Sequence, residues 1–457
     1  MKETRKFGVK DQVGYVMGDM AGSFVNLYVD AFFLTFCTYV LGISTYFMGT
    51  LFLVARLWDA INDPIMGSFP DRWQIGKSGD KFKPYIKIFM IPLALSGLLC
   101  FANVSTLGST MKHIWVAVAY VLYGMSYTGT SMPFGSMASV ITNDPIERTK
   151  LSRARSIGGT IVGVGAISLV PQFIFDKAGN VVPSGFFKVA VVFGILSVLC
   201  YIGLMKLTIE REKQQKVEGQ KFNYGKVLKS VLKNRPLIGV MIATVGSLLY
   251  ITGNGQLGSY LYKEYYHAPQ LLSAVSLVSL PIMIIAFPLV PKLTAKFGKK
   301  NTILYSIGFN FIIGTILFLV PIKNPVVFLT INTISNAGQT AFMMLIWALV
   351  TDCLDYHEYI TGERNDGSLY SIYTFSRKIG STIASTLASF VLGWIGYVSG
   401  VAAQTPAVAA NIRTLVTAVP VVTCILELIG IGLIFNLTKE KSAEVYEELK
   451  RRRNAVK

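Results

Sequence analysis

The sequence predicts an all-α membrane protein, twelve transmembrane helices arranged as two six-helix halves. Composition, the spacing of apolar stretches and the placement of charge predict it. The 457 residues are 52% hydrophobic and 15% charged, with a mean hydropathy of +0.51; a soluble chain carries charge on about a quarter of its residues. Stretches of about twenty apolar residues, the length a bilayer core demands, recur near 14–40, 43–66, 84–104, 112–138, 153–176, 186–208, 236–262, 271–291, 301–321, 324–350, 369–398 and 412–437. The longest polar stretch between spans, 209–235, divides them six and six. The expected domains are therefore a half over 1–208, a linker over 209–235, a second half over 236–437 and a basic tail over 438–457.

Charge orients the spans. With the N-terminus inside, most of the 43 Lys and Arg fall in cytoplasmic segments, and the outer loops hold Lys112, Lys177, Lys188, Lys263, Lys323 and Arg413. The positive-inside rule then places both termini in the cytoplasm. This accounts for the net charge of +18 without nucleic acid; the Arg451-Arg452-Arg453 run reads as a lipid-headgroup anchor. The N-terminus is polar up to Gln12 and the first apolar stretch is too long for a cleavable signal, so span 1 itself is expected to direct insertion.

Span 1 carries two acids, Asp19 and Asp30, eleven residues and about three turns apart. Span 2 carries more. Residues 56–72 read Arg-Leu-Trp-Asp-Ala-Ile-Asn-Asp-Pro-Ile-Met-Gly-Ser-Phe-Pro-Asp-Arg. Asp59, Asn62 and Asp63 fall on one side of the helix at 3.6 residues per turn. Two carboxylates on one face inside a membrane are costly, and a cation bound between them relieves the cost. Hard oxygen ligands suit Na⁺, Li⁺ or a shared proton, so this helix is expected to hold a coupling ion, with Asp59 and Asp63 as its ligands. Arg56 reads as a structural partner to an acid. Trp58 and Trp347 read as helix-packing residues more readily than as stacking platforms for a ligand.

Span 5 opens on Arg155, followed by Ser156-Ile-Gly-Gly-Thr-Ile-Val-Gly-Val-Gly, small residues that permit close helix packing in lipid. In the second half, Lys378 of span 11 offers a counter-charge to Asp59 or Asp63. A carboxylate such as Asp19 accepts two hydrogen bonds, and a guanidinium such as Arg155 donates two in a fixed fork.

The halves repeat a pattern: Pro64-Ile-Met-Gly-Ser-Phe-Pro and then a basic loop, Pro281-Ile-Met-Ile-Ile-Ala-Phe-Pro and then a basic loop. Together with the span count and linker, this describes the major facilitator fold. Gly67-Ser-Phe-Pro-Asp71-Arg72 resembles that superfamily's Gly-x-x-x-Asp-Arg loop, whose charges gate the inner side. Asp352, Asp355, Arg364 and Asp366, around the 10–11 loop, are expected to take the matching gate or loop-ordering role.

Gly18-Asp19, the run from Gly49 to Gly67, Tyr127-Thr128, Pro133-Phe134, Glu147-Arg148-x-x-Leu151-x-x-x-Arg155, Asp352-Cys-Leu-Asp355-Tyr356-x-Glu358 and Lys378-Ile-Gly-Ser appear in order along the chain. This set resembles the glycoside–pentoside–hexuronide:cation symporters over nearly the whole length. The resemblance implies that Asp59, Asn62, Asp63 and Thr128 form a coupling-cation site, and that Asp19, Arg155, Tyr127, Thr374 and Lys378 line or support a sugar site. Two positions depart from the family's α-galactoside carriers, which hold an Asp and, four residues on, a Trp where this chain has Ser131 and Gly135. The site is then wider and less negative, suited to a larger or differently oriented glycoside or an oligosaccharide.

The expected function is a secondary active sugar:cation symporter working by alternating access, in a bacterial cytoplasmic membrane and as a monomer. Na⁺ is favoured over H⁺ because Asp59, Asp63 and Asn62 together supply several oxygens. A lysolipid or other amphiphile carrier of the same fold, and a transport-inactive sugar sensor, are the alternatives; the short tail argues against a sensor. An enzyme is the weakest reading. Cys37, Cys100, Cys200, Cys353 and Cys424 lack metal or redox spacing, His113, His267 and His357 are scattered, and no Gly-x-x-x-x-Gly-Lys-Ser/Thr loop occurs. No cofactor is expected beyond the coupling ion.

Overall fold

The computed structural model describes residues 5–73, 75, 79–142, 144–211, 233–362 and 366–455. Each expected span finds a helix. The first six are α1 (Val9–Tyr39), α2 (Thr45–Arg72), α3 (Lys83–Cys100), α4 (Ser109–Ile141), α5 (Pro145–Thr160, extended by a π-helical turn over Ile161–Ala166) and α6 (Pro183–Leu207). The later ones are α7 (Arg235–Tyr260), α8 (Leu272–Leu319), α9 (Pro325–Thr361), α10 (Asp366–Trp394) and α11 (Pro406–Leu428). The eighth and ninth spans are the two arms of α8, which breaks at Gly298 with φ 80°, a left-handed conformation that glycine adopts without a Cβ penalty. Eight of these helices are long and apolar enough to cross a membrane. Proline begins α3, α6, α7, α9 and α11, where its fixed φ suits the first turn and its missing N–H costs no bond.

The chain forms two compact units: residues 1–218 with 389–404, and residues 219–388 with 405–457. In the first unit, α1 is the central post. Its aromatic face stacks Tyr28 on Phe101 (4.2 Å) and Phe33 on Tyr120 (5.1 Å), and Tyr28 donates to the Phe186 carbonyl at 2.9 Å. The end of the unit is tied by charge. Asp11 lies between Arg5 (3.0 Å) and Arg211 (2.9 Å). Glu210 accepts from the backbone N–H groups of Lys81, Phe82 and Lys83, so a distant carboxylate satisfies the orphan donors at the start of α3.

In the second unit, Phe342, Ile346, Ile303, Ile307, Tyr373 and Phe435 form the core. Arg413, read from the sequence as an outer-loop charge, is buried. Its guanidinium donates to the carbonyls of Leu317 (2.6 Å), Phe318 (3.0 Å) and Val320 (2.7 Å), closing the C-terminal end of α8. The basic tail forms a further helix, α12 (Lys439–Ala455). Val445 and Leu449 are buried, Arg452 donates to the Tyr359 carbonyl at 3.1 Å, and the Lys441 and Arg452 cations lie 5.6 and 5.4 Å from the Tyr359 ring centroid.

Candidate functional site

Motif fragments far apart in sequence meet in the first unit. Arg155 of α5 donates from Nε to Asp19 Oδ1 of α1 at 3.1 Å. The approach rests on glycine. A Cβ at Gly158 would stand 2.5 Å from the Val16 carbonyl oxygen and 2.9 Å from Asp19 Cβ, and one at Gly159 would stand 3.0 Å from Asp19 Oδ2. The pair thus lets the α5 backbone lie against α1 beside the acid. Gly18 admits Phe134 in the same way, since a Cβ there would meet the ring at 2.4 Å. The Arg155 guanidinium then sits 5.5 Å from the Phe134 ring centroid, a cation–π arrangement. Asp19 has 16% of its side chain accessible and Arg155 has 50%, so the pair is open to a ligand on the Arg155 side. A Cβ at Gly135 would lie 3.9 Å from Arg155 Nη1, which places that position at the site. Ser131 is half-buried one turn earlier.

A second cluster lies on α1, α2 and α4. Arg56 is 3.4 Å from Asp30 and 3.7 Å from Asp59. Asn26 donates to Asp30 at 3.1 Å and accepts from the Tyr123 hydroxyl at 2.8 Å. Arg56 is therefore the charge partner of Asp59 within its own unit. One turn on, Thr128 donates to Asp63 Oδ1 at 2.9 Å, and a Cβ at Gly124 would stand 3.3 Å from Asp59 Oδ1. Residues 59 and 63 thus face residues 124 and 128 in the same order, and α2 and α4 run alongside in one direction here. Asn62, 5% exposed, has an amide nitrogen without a hydrogen-bond partner. Tyr127 stacks on Tyr123 with centroids 6.2 Å apart, facing Gly22 of α1.

Sequence reasoning missed Ser23, whose hydroxyl donates to Asp19 Oδ2 at 3.5 Å, and also Asn26, Tyr123 and Phe134. Asn26 had a signal, four residues before Asp30 on one helix face. Phe134 had none beyond its place in a motif.

In the second unit, Thr374 is half-buried and Lys378, one turn on in α10, is exposed. The Trp347 ring lies edge-on to Tyr373 at 5.4 Å and carries the Arg377 guanidinium at 5.1 Å. Of the expected gate charges, Asp352 pairs with Lys299 at 2.6 Å, immediately after the Gly298 break, and Asp355 is half-buried nearby on α9. The side chains of Asp71, Arg72 and Asp366, and Arg364 altogether, lie outside the described residues.

The arrangement can exchange hydroxyl-bearing ligands at Asp19–Arg155 and bind a cation among the α2 and α4 oxygens. The family model described as MFS/sugar transport protein matches residues 14–439. Similar proteins include the uncharacterized symporter YjmB of Bacillus subtilis, 30% identical over 97% of this chain and 96% of the relative. A glucuronide carrier protein homolog of Escherichia coli is 29% identical over 96% and 95%, and the isoprimeverose transporter of Lactiplantibacillus pentosus is 29% identical over 85% and 81%. Among solved structures, the nucleoside transporter NupG superposes with a TM-score of 0.60 at 14% identity, covering 93% of this chain and 99% of that one, a likeness of fold. The family and these relatives are transporters, and the chain belongs to the MFS/sugar transport family, as a member of the glycoside–pentoside–hexuronide symporter type.

Proposed function

We propose that the protein is a sugar:cation symporter, carrying a glycoside or oligosaccharide inward by alternating access, with both termini in the cytoplasm of a bacterial inner membrane. The observation that carries this reading is the α2–α4 oxygen set: Asp59 beside Gly124, Asp63 accepting from Thr128, and buried Asn62 between them. Na⁺ takes these oxygens as ligands, among them the Asp63 carboxylate that accepts from the Thr128 hydroxyl. Arg56 shares its charge between Asp30 and Asp59. The sugar enters at Asp19–Arg155, its hydroxyls donating to the carboxylate and accepting from the guanidinium.

A second reading of the cargo rests on Gly135 adjoining Arg155. With Ser131 rather than an acid one turn away, the guanidinium faces a site open to a carboxylate- or sulfonate-bearing sugar. Relatives named as a glucuronide carrier homolog and a putative sulfoquinovose importer support that class.

The test is uptake into proteoliposomes of neutral and anionic glycosides under an imposed Na⁺ or H⁺ gradient, alongside Asp63→Cys. Accumulation of one sugar against its gradient, driven by one ion and lost in the variant, is expected. No accumulation of any sugar by folded protein under either gradient defeats the reading and turns attention to amphiphiles or sensing.

A further inference from the structure

The second unit buries a carboxylic acid that the proposed transport site does not use. Glu427 lies two residues before a π-helical turn of the chain, Ile429–Ile434, that continues α11; such turns recur at functional positions. Its accessibility is 0%, and neither carboxyl oxygen has a hydrogen-bond partner. The Gln339 side chain of α9 faces it without closing a hydrogen bond, and Gln339 Oε1 is likewise buried and unpartnered. The other end of that amide donates to Ser247 of α7. Tyr250, one turn from Ser247, donates to Asn336 of α9. Asn310 of α8 accepts from Ser335 at 2.6 Å, and its Nδ2 is unpartnered. The node thus holds three unpartnered acceptor oxygens against one unpartnered amide donor, a shortage of hydrogens.

Charge does not fill that shortage. The titratable groups facing Glu427 are Tyr250 on α7 and Cys424 on its own helix; α8 and α9 present amides and hydroxyls. Arg413, farther along α11, is taken up by carbonyls at 317, 318 and 320. Lys263 and Glu264, just beyond α7, bind each other at 2.7 Å. Among the described residues, no lysine, arginine or histidine nitrogen pairs with Glu427. A metal ion is disfavoured by packing. A Cβ at Gly246 would stand 3.0 Å from the Thr423 carbonyl oxygen, 3.1 Å from Glu427 Cγ and 3.2 Å from Leu426 Cβ, so α7 and α11 touch backbone to backbone at this level. An unpaired carboxylate buried in a membrane helix bundle costs several kcal/mol, whereas a proton needs no added volume.

We propose that Glu427 is a proton-binding site in the second unit: its carboxyl holds a proton at neutral pH and donates it to Gln339 Oε1, joining α11 to α9 and, through Ser247, to α7. Carboxylate and a proton from water give the acid, and no other bond changes. The site is separate from the acids of α1 and α2 and does not depend on the sugar-symport reading.

Infrared spectroscopy of the full chain in lipid nanodiscs tests it. At neutral pH the wild type is expected to show the C=O stretch of a protonated, water-shielded carboxyl group that is missing in Glu427→Gln. The variant should retain the wild-type melting temperature, because glutamine donates from the same place. Gln339→Met keeps the volume and removes the acceptor, so the Glu427 band is expected to move to the position of a free acid. Raising the pH through the alkaline range should lower the melting temperature of the wild type more than that of Glu427→Gln. Identical infrared spectra for wild type and Glu427→Gln overturn the proposal, since Glu427 would then be ionised. If Glu427→Gln does not fold, Gln339→Met decides alone: a band that shifts supports the site, and the absence of any protonated-carboxyl band that responds overturns it.

Discussion

Two polar clusters, one in each unit, handle burial in opposite ways. In the first, charge answers charge: Asp19 meets Arg155 at 3.1 Å, and Arg56 stands between Asp30 and Asp59. These groups keep part of their surface accessible. In the second, Gln339, Ser247, Tyr250, Asn336, Asn310 and Ser335 form a neutral network around one sealed acid, Glu427. Paired, half-solvated charges can trade partners with a ligand at small cost. A sealed neutral network resists such exchange, because each buried group left unmatched costs about 1–3 kcal/mol. The difference fits the proposed ligand chemistry of the first set and the proposed helix cross-linking of the second.

Substitutions can break or sharpen that contrast. The largest effect is expected from Arg155→Ala, which removes a charged partner from Asp19 and from the sugar. A hydrogen bond to a charged group is worth about 1.5–3 kcal/mol, so sugar affinity should fall roughly tenfold to a hundredfold, read by equilibrium binding to detergent-purified protein. Unchanged affinity would place the sugar elsewhere.

Thr128→Val is expected next. It preserves shape while removing the donor to Asp63, and cation affinity should weaken about tenfold, read from the Na⁺ concentration that half-activates uptake. Saturating cation should restore sugar affinity; a sugar defect that persists under those conditions would argue that Thr128 does not serve the cation.

Gly158→Ala acts through packing. Its Cβ would press on the Val16 carbonyl and on Asp19, an overpacking worth about 1–3 kcal/mol. A lower melting temperature together with weakened sugar binding is expected, since α5 carries Arg155. Wild-type values in both would mean that α1 and α5 are not in this contact when sugar binds.

The smallest effect should come from the tail. Lys441 holds the Glu444 carboxyl below the ordinary glutamate range through their hydrogen bond. The stabilisation is present above the unfolded-state value and is lost as pH falls through the lower folded value. The groups are exposed, so the effect on docking of α12 is slight. Tyr359→Ala, which removes the ring beneath Lys441 and Arg452, should increase proteolytic release of the tail while leaving uptake intact. Equal release from both proteins would show that Tyr359 does not anchor the helix.

Much of the fold was legible because hydropathy and positive charge act locally. The spans and the turn-by-turn placement of Asp59, Asn62 and Asp63 follow from residue spacing alone. The extent of the α8 break was less so: the basic stretch after the eighth span reads as a loop, and two helical arms meet there at one glycine with φ 80°. Arg413 was misplaced for a similar reason. A cation near a span end looks like a loop charge until three carbonyls from another helix surround it. The tail read only as basic, because Val445 and Leu449 gain their meaning from α9.

By itself, then, the sequence determined a membrane protein of two six-span halves, which acids share a helix face, and a family whose motifs occur in order. Tertiary structure alone decided the partners. Arg56 could serve any of several acids, and its place between Asp30 and Asp59 depends on the rotation of α1 against α2. The Thr128–Asp63 bond joins residues 65 positions apart, and the isolation of Glu427 depends on what α7, α8 and α9 do not bring to it. Local pattern sets which face of a helix is polar; the distance between two such faces is set by packing, through small residues such as Gly158 and Gly246 that let backbones meet.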